Sequence, residues 1–314
     1  MNLSHSVVIC TRERNETLMS CIENLRSSHG FESLSLFIVL NGISSDLFEG
    51  TREELRLLGL SNLEVLRSSP GLAAARNMAL ANIKTQLVTF LDDDVEVPKN
   101  FFIEIDRVMS SNDEISGLSP RISGYYPFSS NNAFMQSTKW LHKDRLYGRL
   151  TNFGMNFWVP DDPDFPVTCV DWLPGCSMTF RTSRIVGMQF ETALMNGPTG
   201  GYSLGEDVDF SSRVGALYSM PSTVIVHLQA TSVRDNNMKM AQARGRWIAH
   251  LAKSKTNNVS TVRSVIWMVF SLGLSLVKDL SKTDIKFSRT RFKLIQIWCF
   301  VMEFFDPILV NKNE

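Results

Sequence analysis

The sequence predicts an α/β fold, a mainly parallel central sheet flanked by helices, with a C-terminal helical extension. Three observations predict it. Short apolar runs alternate with helical periodicities from the start of the chain, as in βαβ units. The fourth run stops abruptly at three consecutive acids, Asp92-Asp93-Asp94. Beyond residue 235 the chain changes character, with basic clusters beside aromatic and aliphatic runs. We therefore divide it into an α/β domain over 1–235 and a basic, aromatic helical extension over 236–314.

The elements follow in order. Ser6 to Cys10 suits a buried strand, and the polar loop Thr11-Arg12-Glu13-Arg14 follows it. Asn15 can cap a helix in which Leu18, Cys21, Ile22 and Leu25 recur at helical spacing. A second strand, Leu34 to Leu40, runs into the turn Asn41-Gly42. A helix with Leu47, Leu55 and Leu58 leads to a strand over Leu63 to Leu66. Pro70-Gly71 opens a helix from Leu72 to Ala81, and a strand from Gln86 to Leu91 reaches the aspartates. Right-handed crossovers put the loops after such strands on one rim, so Thr11, Asn41 and Asp92 should approach one another. The next helix should turn Phe101, Phe102, Ile105, Val108 and Met109 to a core.

The triplet carries the first chemistry. Along a strand Asp92 and Asp94 project to one side and Asp93 to the other. Two close carboxylates repel, and a divalent cation with a taste for oxygen ligands removes the conflict. The plain alternative is an acidic turn capping the next helix. Thr11, Arg12 and Asn41 offer a hydroxyl, a cation and an amide. Arg76 can neutralise phosphate or lie on the surface beside Asn77. No G-x-G-x-x-G follows the first strand and no Walker lysine loop occurs, which argues against a dinucleotide dehydrogenase or a P-loop ATPase.

Later segments add weaker signals. Ser110 to Pro166 is irregular and suits a variable flank or substrate wall. In Val170 to Arg181, Trp172 can stack on a sugar or sit in a core. The glycine-rich stretch from Asn196 enters a helix through Gly205-Glu206-Asp207-Val208-Asp209. Acids in a first turn suit the helix dipole, and a carboxylate on a loop can also act as a general base. The strand Val224 to Val226 ends in His227, a structural hydrogen-bonder or a metal ligand.

Taken in order, these stretches resemble the family 2 glycosyltransferases. The series runs from Thr11-Arg12 through Asn41-Gly42, Pro70 to Asn77, Asp92 to Asp94, Gly175 to Arg181 and Gly205 to Asp209, and ends at His227. The resemblance covers Val7 to Ser232. It implies the GT-A fold and inverting transfer from a nucleotide-diphosphate sugar to an acceptor hydroxyl, with Mg2+ or Mn2+ on the diphosphate. It assigns Asp92 and Asp94 to the D-x-D motif, Asp207 to the base beside Glu206, and His227 to a further metal ligand. Thr11, Arg12, Asn41, Arg76, Asp92 and Asp93 then face the nucleotide-sugar, and Trp172 and Gly175 the sugar or acceptor. Relatives often have aspartate just after the second strand, where this chain reads Leu40-Asn41, so UDP, GDP and dTDP donors all stay open. The acceptor would be a glycan or a lipid-linked precursor. A sugar nucleotidyltransferase is the enzymatic alternative, although Thr11 to Arg14 lacks its glycines, and a non-catalytic nucleotide-sugar-binding scaffold is the other.

Bulk properties frame this reading. Lys+Arg 32 balance Asp+Glu 32, which gives no argument for a nucleic-acid partner. The five cysteines include no C-x-x-C pair and read as cytosolic thiols, and no signal peptide is evident. In the tail, Arg263 and Lys278 bracket an apolar run, Ser264 to Val277, shorter than the ~20 residues of a spanning helix. The run Leu294 to Phe305 includes Gln296 and Glu303. Residues 263–305 are expected to lie at an anionic membrane interface, peripheral on the inner face of the cytoplasmic membrane. Packing on the catalytic domain or on a second subunit of a homo-oligomer is the alternative. Gln242 and Arg246-Trp247 resemble the Q-x-x-R-W of processive relatives with the spacing off by one, so no processivity is inferred.

Overall fold

The structure, a computed structural model, describes residues 3–12, 15–123, 147–194, 204–228, 237–254, 259–281 and 287–305. The chain forms two compact units. One comprises residues 1–149, 157–190 and 210–230, and the other 150–156, 191–209 and 231–314.

The first unit is built on a curled nine-stranded sheet. Its strands are β1 (His5–Thr11), β2 (Leu34–Asn41), β3 (Leu63–Ser68), β4 (Leu87–Asp92), β5 (Val95–Glu96), β6 (Gly117–Ser123), β7 (Thr168–Val170), β8 (Ser177–Arg181) and β9 (Leu217–His227). The spatial order is β3-β2-β1-β4-β8-β6-β9-β5, with β7 also on β9. The first four are mutually parallel. Helices α1 (Asn15–Arg26), α2 (Ser45–Arg56) and α3 (Leu72–Leu80) supply the crossovers, and α4 (Phe101–Ser111) follows β5. Strands covered on both faces read as continuous apolar runs rather than alternations. Val7, Val8 and Ile9 of β1 and Ile38 and Val39 of β2 are accordingly fully buried. Each such side chain contributes roughly 1.5–3 kcal/mol. The α1 stripe Leu18, Cys21, Ile22 and Leu25 is buried as its spacing predicts. On α4, Phe101, Phe102, Ile105 and Met109 are buried and Val108 is half-buried.

Register fixes the functional rim. Thr11 lies opposite Leu40, and Cys10 opposite Asp92. The carboxyl ends of β1, β2 and β4 therefore meet on one edge, as the crossover rule requires. Beyond β4 the sheet becomes mixed. Strand β8 enters antiparallel beside β4 from about ninety positions later in the chain. Strand β9 runs parallel to β6 and antiparallel to β5, with His227 opposite Val95.

The second unit carries the acidic start of α5 (Glu206–Ser212) and the helices α6 (Asn237–Lys253), α7 (Thr261–Leu280) and α8 (Ser288–Phe305). The apolar run in the tail is longer as a helix than as a composition. Helix α7 has 20 residues and, by length and apolarity, could cross a membrane. Its first turn, capped by Ser260, and the last turn through Leu280 supply the added length.

Candidate metal and nucleotide-sugar site

Strand β4 ends at Asp92, and Asp93 and Asp94 form a turn before β5. The turn, more than strand alternation, separates the three carboxylates. Asp93 faces inward, 1% exposed, and accepts a 2.5 Å hydrogen bond from the Thr11 hydroxyl. Asp92 and Asp94 share the other side with His227, whose Nε2 stands 3.0 Å from Asp94 Oδ1 and 3.7 Å from Asp92 Oδ2. The β5–β9 pairing delivers the imidazole, and the Leu228 amide donates to the Asp94 carbonyl. One ligand atom from each of the three lies within 4.8 Å of the others. Two carboxylate oxygens and an imidazole nitrogen form a donor set that fits Mn2+ or Mg2+.

Arg76 is not a surface residue. It is 2% exposed, lies above the Phe190 ring at 5.3 Å, and donates to the Gly175 carbonyl. Its guanidinium reaches 3.7 Å from Asp92 Oδ1. Asn77 explains why the arginine stays there. Its side-chain amide donates to the Phe190 carbonyl and accepts from the Phe190 amide, pinning the ring beneath Arg76. Phe190 stacks in turn on Phe210 at 3.9 Å. Burial pushes the Asp92 carboxyl up from 3.8 to about 6. Arg76 and His227 oppose that rise, while Asp94 and Asp93 add to it.

The other expected residues divide. Asn41 accepts a 2.7 Å bond from the Gly71 amide, so it anchors the turn that launches α3. Gly42 is required beside it: its φ is +64°, and a Cβ would stand 2.9 Å from Pro70 Cα. Between these turns lies an open cleft of about 480 Å³ lined by Gly42, Ile43, Arg67, Ser68, Ser69 and Pro70. Arg67 braces its wall through bonds to the Ile43 carbonyl and the Ser45 hydroxyl. Arg12 is exposed. Thr11 and Asp93, both expected at the nucleotide-sugar, are buried and bond to each other. Trp172 is 4% exposed, donates to the Phe157 carbonyl and meets Trp158 edge-on at 5.0 Å, the surroundings of a core tryptophan. Gly175 contributes its carbonyl to Arg76.

In the second unit, Glu206 is buried and Asp207 half-buried at the start of α5. The next acid, Asp209, is 3% exposed and stands 3.1 Å from His250 Nε2 on α6. Sequence reading missed His250, since an i,i+41 pair leaves no local signal. Gly205 precedes the acids with a φ of +88°, and a Cβ there would lie 2.2 Å from Trp247 Cδ1. Gly205→Ala is therefore expected to destabilise the protein by about 3 kcal/mol, strain and overpacking together. Urea unfolding monitored by tryptophan fluorescence measures it. The glycine-rich stretch from Asn196 to Ser203, and 124–146 of the irregular segment, lie outside the described residues.

Comparison with known proteins decides the family. The model of the glycosyl transferase family 2 matches residues 6–161, which include β1 from its second residue, β2 to β6 and the aspartate triplet. The chain belongs to that family. Similar solved structures agree on the fold. The mannosyltransferase PcManGT of Pyrobaculum calidifontis, in complex with GDP-Man and Mn2+, superposes with a TM-score of 0.55 at 12% identity. The match covers 98% of this transferase and 88% of that chain. S. aureus TarS 1-349 in complex with UDP-GlcNAc gives 0.56 at 13% identity, over 96% and 81%. GalNAc-T7 with UDP, GalNAc and Mn2+ gives 0.52 at 17%, over 96% and 57%. These are GT-A glycosyltransferases, and this transferase shares their fold. A search of curated proteins gives no match.

Proposed function

We propose that this transferase moves a sugar from a nucleotide-diphosphate donor to an acceptor hydroxyl with inversion at the anomeric carbon. The observation that carries the reading is the convergence of Asp92, Asp94 and His227 beside the buried Arg76, in a member of this family. Asp92, Asp94 and His227 would hold Mg2+ or Mn2+, which when bound offsets the charge of the diphosphate. Arg76 keeps Asp92 oriented and adds a fixed positive charge at the same edge. The cleft at Gly42 and Pro70 has the size of a nucleoside site, and Asn41 ties down the adjoining turn through the Gly71 amide. Asp207 acts as the base. A sugar hydroxyl is a poor nucleophile, and a carboxylate that takes its proton as the C–O bond forms lowers the barrier. Attack from the face opposite the departing diphosphate inverts the centre. The buried Glu206 orients the segment that carries Asp207. The acceptor class is a glycan or a lipid-linked saccharide.

A thermal-shift panel of UDP-, GDP- and dTDP-sugars, each with and without Mn2+, tests the donor. One nucleotide class is expected to raise Tm strongly, and only with the cation. At a hundredfold excess over Kd the gain is about 2.7 kcal/mol. If no class shifts Tm with Mn2+ present, the nucleotide-sugar reading fails.

A further inference from the structure

The last two helices of the second unit bury and expose the opposite of what a water-soluble pair would. Along Thr261–Leu280 the buried stripe is Ser264, Met268, Ser271, Ser275 and Asp279, steps of four and three that define one helix face. The outer face carries Val262, Ile266, Val269, Phe270, Val277 and Leu280, all 50% exposed or more. Ser288–Phe305 shares the feature in part: Gln296 is buried along with Phe300, while Leu294 and Trp298 are mostly exposed. Three of the inward polar groups, Ser271, Ser275 and Asp279, are hydrogen-bonded within the pair. Ser271 and Ser275 donate to the carbonyls of Met268 and Ser271, and Asp279 Oδ2 accepts from both the amide and hydroxyl of Thr290 at 2.8 Å.

In water this arrangement exposes apolar surface that a soluble fold normally covers. Against acyl chains it is favourable, because small polar residues then face helix partners and aliphatic ones face lipid. Charge identifies the lipid. Residues 278–293 contain six basic and two acidic side chains, and exposed Arg289 and Arg291 start the second helix just before Leu294 and Trp298. Basic residues beside Trp match anionic headgroups. Depth is limited from the other side. The inner face of Ser288–Phe305 packs on Asn237–Lys253 so closely that a Cβ on Gly245 would meet the Gln296 carbonyl at 2.3 Å. An Arg246–Glu303 ion pair links the same two helices. A pair whose inner side carries that ion pair can enter one leaflet by its outer face only.

We propose that the outer faces of Thr261–Leu280 and Ser288–Phe305 form a docking surface for an anionic lipid bilayer. The surface stands independently of the transfer reaction, since its test reads binding and not turnover. The full chain is sedimented with phosphatidylcholine vesicles, with and without phosphatidylglycerol, alongside the triple variant Ile266→Asn, Phe270→Asn, Trp298→Asn. Two of these positions are at least 60% exposed and the third 50%, so the fold should persist, which circular dichroism checks. The wild type is expected to pellet with anionic vesicles and the variant to partition about 100-fold more weakly. Wild-type protein that ignores anionic vesicles, or a variant that binds them equally, overturns the proposal. So does a lipid-free wild-type dimer that the variant abolishes while vesicle binding is absent, because the face would then cover a second copy of the chain.

Discussion

Asp207→Asn is expected to bind the nucleotide-sugar with wild-type affinity and to transfer it about 10³-fold more slowly. The amide keeps the size and polarity of the carboxylate, so the start of α5 retains its shape and its 2.9 Å bond from the Val208 amide to the side-chain oxygen. On the proposed assignment, what it loses is the ability to take a proton from the acceptor. The effect should fall on kcat, because the proton moves only as the new bond forms. Donor affinity by calorimetry and turnover by nucleotide release separate the two quantities. Glu206→Gln provides the contrast. Glu206 is 6% exposed and Asp207 half-buried, so the proposed reading gives the acceptor to Asp207 and a supporting place to Glu206. Its substitution should disturb stability before it disturbs chemistry. Full activity in Asp207→Asn would remove the base assignment.

The parallel half of the sheet was legible because its signal is local. Each strand is an apolar run, each crossover helix has its own stripe, and β1, β2 and β4 end where the polar residues begin. The mixed half was not. Strand β8 must travel from Ser177 to pair with β4, and no periodicity announces which edge it joins. The site divides the same way. The acidic triplet was visible as sequence, but the inward turn of Asp93 depends on Thr11, 82 residues away. Arg76 looked equally at home on a surface until Phe190, Asn77 and Gly175 closed around it. Trp172 left two readings open because a tryptophan's composition signal is the same in a core and on a binding face. The tail was legible in hydropathy but not in orientation. Only the packed pair reveals that the serines of α7 turn inward and its aliphatic residues outward.

Asp94→Asn should weaken Mn2+ binding by at least about 100-fold, since it removes the charge of the carboxylate nearest His227, and transfer should fall with it. The residue also sets the pH response. In the folded protein Asp92 holds its proton up to about 6, above its ordinary 3.8, with burial the main cause and Asp94 a contributor. A raised carboxyl stabilises the metal-free fold fully below its unfolded value, and that stability is lost as pH rises through about 6. Metal needs the deprotonated group, so its affinity runs the other way. Wild-type Mn2+ affinity should fall at least about tenfold per unit below pH 6, since Asp92 must give up its proton and the His227 imidazole must be neutral. In Asp94→Asn the repulsion on Asp92 is smaller while Arg76 still stands 3.7 Å away, so the break should move to lower pH even as affinity drops. Electron paramagnetic resonance of free Mn2+ across a pH series measures both changes at once. A variant with lost affinity and an unmoved break would leave Asp94 a ligand without electrostatic coupling to Asp92. Unchanged affinity would mean that the cation is held elsewhere, and the Asp92, Asp94 and His227 site would fall.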